Sequence, residues 1–132
     1  MRLYLVRHAE AAPGEPDALR PLTAAGREAA RALGEQLAAE GLRLDAVLTS
    51  PLLRARQTGE ALARAAGIAS TPDDRLAPGA TAADVRAAVA GRGGAVAVVG
   101  HQPDCSSIAA ALSGGPEPPF RPAGMLAIDV QT

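Results

Sequence analysis

Short apolar runs recur along the chain, separated by longer stretches in which apolar and polar residues alternate with helical spacing. Three runs combine leucine or alanine with β-branched or aromatic residues and predict buried strands at Leu3–Val6, Asp45–Thr49 and Ala95–Val99. A weaker run at Ile68–Thr71 predicts an edge strand, and Met125–Val130 predicts a closing strand. The pattern therefore indicates five strands spread over the whole sequence.

The two helices predicted in the first half of the chain have clear start signals. Thr23 can act as the N-cap of a helix that runs to about Glu40, with apolar residues spaced one turn apart. Ser50 followed by Pro51 predicts a second helix, because serine is a favoured N-cap and proline is favoured at the first helical position. We expect this helix to end at about Ala66, just before a glycine.

Two shorter helices are predicted in the second half. Thr81–Asp84 matches a capping box that opens a helix to about Ala90. Pro103 opens the fourth helix, in which Cys105 lies on the apolar face and is expected to be a core residue. Strand and helix thus alternate four times before the closing strand. This order predicts a three-layer α/β/α sandwich with a mostly parallel five-stranded sheet and an antiparallel C-terminal edge strand, and we expect residues 1–132 to form a single domain.

Polar side chains follow three of the predicted strands. Arg7 and His8 come directly after the first strand, Ser50 and Arg54 follow the second, and His101 follows the fourth. Because ligands of open α/β sheets bind beyond the carboxyl ends of the strands, we expect these residues to meet at one rim. Two helix amino ends, including the one after His101, would add partial positive charge and N–H groups there. The combination favours a small anion, and phosphate fits the arginine forks best.

Composition limits the classes of partner. The net charge of −1 gives no reason to expect nucleic acid or an acidic membrane surface. No apolar run approaches the roughly 20 residues that a membrane helix needs. The single cysteine excludes an intrachain disulfide, so we expect a cytoplasmic protein. One tyrosine, one phenylalanine and no tryptophan offer few anchors for a tight interface, which predicts a monomer.

Each candidate residue also has a simpler interpretation. All 13 basic residues are arginine, a bias typical of a GC-rich genome, so Arg27, Arg31, Arg64 and Arg86 are interpreted as surface charges. The chain has two histidines, and a histidine at a strand end is more often a polar loop residue than a functional one. The pair could instead bind a metal. Without a third ligand at zinc-like spacing, however, we expect no metal and no cofactor.

Three motifs occur in an order that resembles a known family. The segments LVRHAEA, LTSPLLRARQT and VVGHQP are similar to the histidine phosphatase superfamily, which includes the phosphoglycerate mutases. The similarity is closest to its short phosphohistidine phosphatase branch, the SixA-like proteins, which also have a segment similar to RPLT after the first loop. The resemblance runs nearly end to end, and three motifs in order are far more specific than the RH dipeptide alone.

The resemblance implies a role for each matching residue. His8 would be the nucleophile that takes the phosphoryl group, and Arg7 and Arg54 would clamp its oxygens. His101 would complete the pocket from the opposite side. The further phosphate-binding candidates are Arg20, in the RPLT segment, and Gln102.

The sequence departs from the family pattern at two points. Ala9 stands where the superfamily has glycine; alanine is small enough for close packing, but a positive φ would be costlier. Larger members supply a proton-donating glutamate from a segment that here, at residues 69–84, contains Asp73 and Asp74 but no glutamate. We expect Asp73 and Asp74 to be solvated carboxylates. Glu10, two residues from His8, is the remaining candidate proton donor.

These features predict a metal-independent phosphatase that forms phosphohistidine on His8 and then hydrolyses it to inorganic phosphate. A phosphoramidate needs less acid assistance than a phosphate ester, because its nitrogen can be protonated before or during cleavage. The weak proton donor therefore favours phosphohistidine on a protein as the substrate. Between Thr71 and Ala95 there is room for one short helix and no lid insertion, so the pocket can admit a side chain of another protein.

Two alternatives stay open. The first is a metal-independent small-molecule phosphomonoesterase of the same fold. The second is a phosphate-binding or protein-interaction module without turnover. The intact set of Arg7, His8, Arg54 and His101 argues against the second alternative, because a module without turnover needs no nucleophile.

Overall fold

The computed structural model describes residues 1–131 and contains, in that range, five strands and four α-helices in strict alternation. Two 3₁₀ turns, at Asp17–Leu19 and Asp74–Leu76, lie in the connections. The main elements are β1 (Arg2–Arg7), α1 (Ala24–Ala39), β2 (Ala46–Thr49), α2 (Leu53–Ala66), β3 (Ser70–Pro72), α3 (Ala82–Val89), β4 (Ala95–Gly100), α4 (Asp104–Ser113) and β5 (Met125–Asp129). The predicted order of elements is confirmed.

The five strands form one sheet in the order β3-β2-β4-β1-β5. Strands β1 to β4 are parallel, and β5 pairs antiparallel with β1 at the edge. The sheet is therefore mostly parallel with an antiparallel C-terminal edge strand, as predicted. β3 pairs only with β2 among the described strands, which makes it the opposite edge, and it begins at Ser70 rather than at Ile68.

Alternating side chains of the central strands supply two apolar layers. Leu3 and Leu5 of β1 point to the face covered by α3 and α4. Tyr4 and Val6 point to the opposite face, which α1 and α2 cover. Each fully buried leucine or valine contributes about 1.5–3 kcal/mol of transfer free energy, so both faces need a helical layer to exclude water. The three-layer sandwich is confirmed.

Local capping signals set most helix ends where the sequence placed them. The Thr23 hydroxyl accepts a hydrogen bond from the Gly26 N–H at 2.9 Å at the start of α1. Thr81 and Asp84 form the predicted capping box of α3. Gly67 ends α2 with φ of 74°, a left-handed conformation that glycine adopts without strain.

The predicted start of α2 is wrong. The helix begins at Leu53, and Ser50 does not cap it. Instead the Ser50 N–H donates to the Val99 carbonyl at 3.0 Å, which extends the pairing of β2 with β4 by one residue. Its side chain is fully buried and bonded to His101. Sheet pairing and this buried polar contact thus override the local preference of serine for an N-cap.

Candidate active site

The carboxyl ends of β1 and β4 define the site, because these neighbouring strands end side by side. Arg7 pairs with Gly100 in the sheet register, and the His8 N–H donates to the Gly100 carbonyl at 2.9 Å. After β1 the chain crosses to α1 on one face of the sheet, and after β4 it crosses to α4 on the other face. Adjacent strands whose connections leave on opposite faces open a crevice between them. His8 and His101 lie at this switch point.

The two histidine rings face each other across the crevice. Their centroids are 5.2 Å apart, and the ring planes are inclined by 58°. Nδ1 of His8 lies 2.7 Å from the Ala9 carbonyl oxygen. Because a carbonyl oxygen only accepts, Nδ1 carries the proton and Nε2 of His8 keeps its lone pair. The sheet register therefore places the His8 ring, with an unprotonated nitrogen, beside the ring of the second histidine.

Burial and nearby arginines keep His8 uncharged. Burial is the main cause that lowers its pKa, and the positive charges of Arg54, Arg7 and Arg20 lower it further. The hydrogen bond to the Ala9 carbonyl acts in the opposite direction, since it favours the protonated ring. The net effect is a pKa below the ordinary value of 6.5, so the lone pair of His8 is free at neutral pH.

His101 is more enclosed than His8, with 5% of its surface exposed. Its Nε2 lies 2.7 Å from the Ser50 hydroxyl, which also accepts a hydrogen bond from the Leu52 N–H at 3.2 Å. Both groups are satisfied when the hydroxyl donates to Nε2, which places the ring proton on Nδ1. Within residues 1–131, no atom accepts from this buried Nδ1. His101 thus presents an N–H donor with no protein partner.

The pKa of His101 is lowered to about 4, chiefly by burial. The protonated form of His8, which exists at acidic pH, and the charge of Arg54 lower it further, whereas the carboxylate of Asp17 raises it. His101 is therefore neutral at physiological pH, and its Nδ1–H is a neutral donor rather than an imidazolium.

Two arginines of the site are held by backbone carbonyls. Arg7 donates from Nη1 to the Phe120 carbonyl at 2.9 Å, and its buried Nε has no partner within residues 1–131. Arg54, with 7% of its surface exposed, donates from Nη1 to the Asp17 carbonyl at 2.9 Å. Carbonyl contacts of this kind fix the guanidinium plane while leaving further N–H groups for an anion.

The structure brings Arg20 to the same site. Its Nε donates to the Ala12 carbonyl at 2.8 Å, and its Nη1 forms an ion pair with Asp17 at 3.0 Å. Its charge acts on His8, which lies within electrostatic reach. The candidate phosphate-binding residues on β1, α2, β4 and the loop after β1 thus converge on one place, and their roles there stay a prediction.

Ala9 fits its position without strain. It is fully buried against Leu22 and Ala30. Within residues 1–131, the one non-glycine residue with positive φ is Ala123, so the backbone of Ala9 does not need glycine. The Ala9 N–H donates to the Thr58 hydroxyl at 3.0 Å, which ties the loop after β1 to α2.

The candidate proton donor and the last phosphate-binding candidate have other partners. The Glu10 carboxylate is exposed and accepts a hydrogen bond from the Thr23 hydroxyl at 2.7 Å, at the start of α1. The Gln102 side chain bonds twice to Ser106, with its amide donating to the hydroxyl at 2.7 Å and its oxygen accepting from the N–H at 3.0 Å. The Glu10 carboxylate and the Gln102 amide are thus held by Thr23 and Ser106, and these bonds do not direct either group toward the histidines.

Two expectations about neighbouring groups are wrong. The Asp73 side chain is not solvated: it is 12% exposed and forms an ion pair with Arg75 at 2.7 Å. The amino end of α4 also offers less to an anion than expected. The N–H groups of residues 105–107 already donate to the His101 carbonyl, the Gln102 side chain and the Pro103 carbonyl.

Sequence reasoning missed two of the residues that organise the site. Asp17 carries the carboxylate between Arg54 and Arg20, but it lies in a proline-rich loop with no periodic pattern to mark it. Ser50 was expected at the rim but was assigned to helix capping, so its bond to His101 was missed, although its place inside the LTSPLLRARQT motif could have indicated it. Within residues 1–131, no helix is long and apolar enough to cross a membrane, and no three potential ligands cluster as a metal site would need.

Comparison with known proteins agrees with this geometry. The model of the histidine phosphatase superfamily (branch 1) matches residues 3–78. An uncharacterised protein of Picosynechococcus sp. is 40% identical over 124 residues, which cover 87% of this chain and 74% of the relative. Phosphohistidine phosphatase SixA of Escherichia coli is 30% identical over 127 residues, which cover 91% of this chain and 79% of SixA.

A solved structure extends the match to the fold. The protein histidine phosphatase SixA, in complex with tungstate, superposes with a TM-score of 0.87 at 27% identity, over 98% of this chain and 88% of that one. The sheet order and the facing histidines thus occur in a chain whose sequence and fold both match this group. The chain is therefore a homologue of SixA and a phosphatase that acts through histidine, and it belongs to the histidine phosphatase superfamily (branch 1).

Proposed function

We propose that this chain is a metal-independent phosphatase that removes the phosphoryl group from phosphohistidine on a protein, with His8 as the nucleophile. The observation that carries the proposal is the pairing of His8 with His101. Nδ1 of His8 is fixed by the Ala9 carbonyl at 2.7 Å, and the rings face each other 5.2 Å apart among three arginines. That arrangement leaves Nε2 of His8 to attack phosphorus.

The first step forms a phosphohistidine on the enzyme. The lone pair on Nε2 of His8 makes a new P–N bond while the P–N bond of the substrate breaks. The electron pair of the broken bond stays on the substrate nitrogen that was bonded to phosphorus. Because the other ring nitrogen of the substrate phosphohistidine carries a proton, the ring departs as neutral imidazole. Arg7, Arg54 and Arg20 neutralise the phosphoryl oxygens, and His101 donates its Nδ1–H to one of them.

The second step regenerates His8. A water molecule attacks the phosphorus of the enzyme phosphohistidine, and the P–N bond returns its electron pair to Nε2. The product is inorganic phosphate. Because the pKa of His8 lies below 6.5, the ring leaves as neutral imidazole at neutral pH and is ready for the next cycle.

The carboxylates around the site support a phosphoramidate substrate. The Glu10 side chain is bonded to Thr23, and Asp73 is paired with Arg75. The pKa of Asp17 is held below its usual value by Arg20 and Arg54, so this carboxyl is a poor acid at neutral pH. A phosphate ester needs a strong general acid for its alkoxide leaving group, whereas protonated imidazole leaves without one.

The segment between β3 and β4 supports a protein substrate. It contains only the turn Asp74–Leu76 and the eight-residue helix α3, and no lid insertion that would cover the site. We include in the proposal that residues 1–132 form one histidine phosphatase domain without a lid insertion. The proposal also includes a cytoplasmic monomer, for which the buried free thiol of Cys105 and the scarcity of aromatic residues are the grounds.

The deciding experiment compares kcat/KM on a phosphohistidine-bearing protein with kcat/KM on a panel of small phosphate esters. We expect a large preference for phosphohistidine, and no loss of activity when a chelator is added. The matched control is His8→Ala, which should abolish turnover on every substrate while the circular dichroism spectrum stays unchanged. A preference for esters would support the small-molecule phosphomonoesterase instead, and inhibition by the chelator would contradict metal independence.

A further inference from the structure

The carboxylate of Asp17 lies between two arginines of the proposed phosphate site. Its Oδ2 is 3.2 Å from Nη2 of Arg54, and its Oδ1 is 3.0 Å from Nη1 of Arg20. It also acts on His101, whose pKa its charge raises. Its side chain is 61% exposed, so the carboxylate reaches into the site from the solvent side.

Neither arginine depends on this carboxylate for its position. Arg54 is anchored by the backbone carbonyl of Asp17 at 2.9 Å, and Arg20 is anchored by the backbone carbonyl of Ala12 at 2.8 Å. Both acceptors are backbone oxygens, so a change of the Asp17 side chain does not remove either of them. The carboxylate therefore adds negative charge to the site without being needed to build it.

Carboxylate and phosphoryl oxygens recognise a guanidinium in the same way, through charge-assisted N–H···O bonds. An N–H group that is bonded to Asp17 has to release it, or share it, before it can bind a phosphoryl oxygen. The fixed negative charge also repels any further anionic group that a substrate carries beside its phosphoryl group. Asp17 thus opposes anion binding at a site that three arginines favour.

We propose that Asp17 is a specificity-determining residue that selects for substrates whose phosphoryl group is attached to an uncharged or cationic group. Competition from its carboxylate weakens the binding of inorganic phosphate, which favours product release. Substrates with a carboxylate or a second phosphate near the phosphoryl group are disfavoured by charge, whereas an imidazole is not. The inference rests on the proposed function, because it assumes that Arg54 and Arg20 bind the phosphoryl group.

The test uses Asp17→Asn, which removes the charge and keeps the shape. The matched control is Glu28→Gln, which removes one exposed carboxylate from an ion pair with Arg31 on the outer face of α1. Two quantities are measured for each variant. The first is the inhibition constant of inorganic phosphate, and the second is kcat/KM for an aryl phosphate whose aryl group is uncharged and for its analogue with a carboxylate on the aryl group. A thermal unfolding midpoint for each variant verifies that the fold is kept.

For Asp17→Asn we expect phosphate to bind about 2- to 5-fold more tightly, the range that an exposed ion pair provides. The ratio of kcat/KM for the carboxylated aryl phosphate to kcat/KM for the aryl phosphate without a carboxylate should rise by a similar factor. Glu28→Gln should leave both quantities unchanged. Unchanged or weaker phosphate binding in Asp17→Asn, with the fold intact, would overturn the proposal and make Asp17 a positioning residue for the arginines.

Failure of this inference can be told apart from failure of the proposed function. The Asp17 measurements use aryl phosphates and inorganic phosphate, so they do not require phosphohistidine to be the preferred substrate. If esters are preferred over phosphohistidine but Asp17→Asn still tightens phosphate binding, only the substrate assignment falls. If phosphohistidine is preferred but Asp17→Asn has no effect, only the role of Asp17 falls.

Discussion

The two sides of the candidate site are built in different ways. One side, which we name the sheet wall, consists of Arg7, His8, Ser50 and His101 at the ends of three neighbouring strands. The other side, the loop wall, consists of Asp17 and Arg20 at the 3₁₀ turn after β1. Strand register holds the sheet wall, whereas side-chain and carbonyl contacts to one loop hold the loop wall.

The two walls differ in burial, and this difference separates rigid groups from groups whose charge can be adjusted. The sheet wall includes fully buried groups, since Ser50 is 0% and His101 is 5% exposed. The loop wall has more contact with water, since the Asp17 side chain is 61% exposed and the Arg20 side chain is 29% exposed. Rigid, desolvated groups are suited to stabilising a transition state, and exposed charges are suited to tuning which anions bind. Arg54 on α2 links the two, because it is buried and yet bonded to Asp17.

The largest expected effect comes from the same substitution made in each wall. Arg7→Lys should lower kcat/KM by about 100- to 1000-fold, because it removes a preorganised guanidinium that the Phe120 carbonyl holds in place and whose Nε is buried. Arg20→Lys should lower it by about 10-fold, since a partly exposed guanidinium is partly replaced by water and ammonium. Steady-state kinetics on an aryl phosphate measures both. Equal losses, or a larger loss in Arg20→Lys, would contradict the division between the walls.

The chain that runs from the sheet wall to the loop wall packs closely against α1 at Gly26. A Cβ at this position would lie 2.1 Å from the carbonyl oxygen of Glu10, in the chain that leaves His8. Gly26→Ala should therefore lower the free energy of unfolding by about 1–3 kcal/mol, measured by urea denaturation. Gly115→Ala is the matched control, because its Cβ would meet nothing closer than 3.8 Å. If the two variants are equally stable, the close approach at Glu10 does not constrain the fold.

A smaller effect is expected from Ser50→Ala in the sheet wall. The substitution leaves the buried Nε2 of His101 without its donor at 2.7 Å and releases the tautomer that the hydroxyl fixes. We expect kcat/KM to fall by about 10-fold and the ¹⁵N NMR signals of His101 to change from one tautomer to a mixture. Ser50→Thr, which keeps the hydroxyl, should restore both. A single unchanged tautomer in Ser50→Ala would show that Ser50 does not orient the ring.

The smallest expected effect is a displacement of the pH profile. A histidine is neutral above its pKa, so a lowered pKa extends the neutral range of His8 to lower pH. The acid limb of kcat/KM, which reports the free enzyme, should therefore have a midpoint below 6.5. NMR titration of the two histidines should give His101 the lower value, about 4. A His8 midpoint at or above 6.5 would contradict the dominance of burial and arginine charge.

The sheet wall could be predicted from the sequence because its information is local. An apolar run followed by a polar residue marks a strand end, and parallel strands that alternate with helices must end at the same edge. His8, His101, Arg7 and Arg54 were placed at one rim on that basis. The same local reasoning misassigned Ser50, because a serine before proline reads as a helix cap whether or not a histidine lies against it.

The loop wall could not be predicted in the same way. The loop after β1 carries no periodicity, and only the folded chain places the carboxylate of Asp17 against the guanidinium of Arg54, 37 residues away. Arg20 was named only through the family resemblance, and its contacts with Ala12 and Asp17 depend on the loop backbone. Contacts of this kind depend on conformations that residue type does not specify.

By itself, then, the sequence determined the order of strands and helices, the two-sided apolar core and the polar residues at the strand ends. These follow from hydrophobic periodicity and from short-range capping, which act over a few neighbouring residues. Only the tertiary structure decided that β1 lies beside β4, that Ser50 bonds to His101, and that Asp17 pairs with Arg54 and Arg20. Those outcomes depend on packing and electrostatics between distant segments, which exist only once the chain has folded.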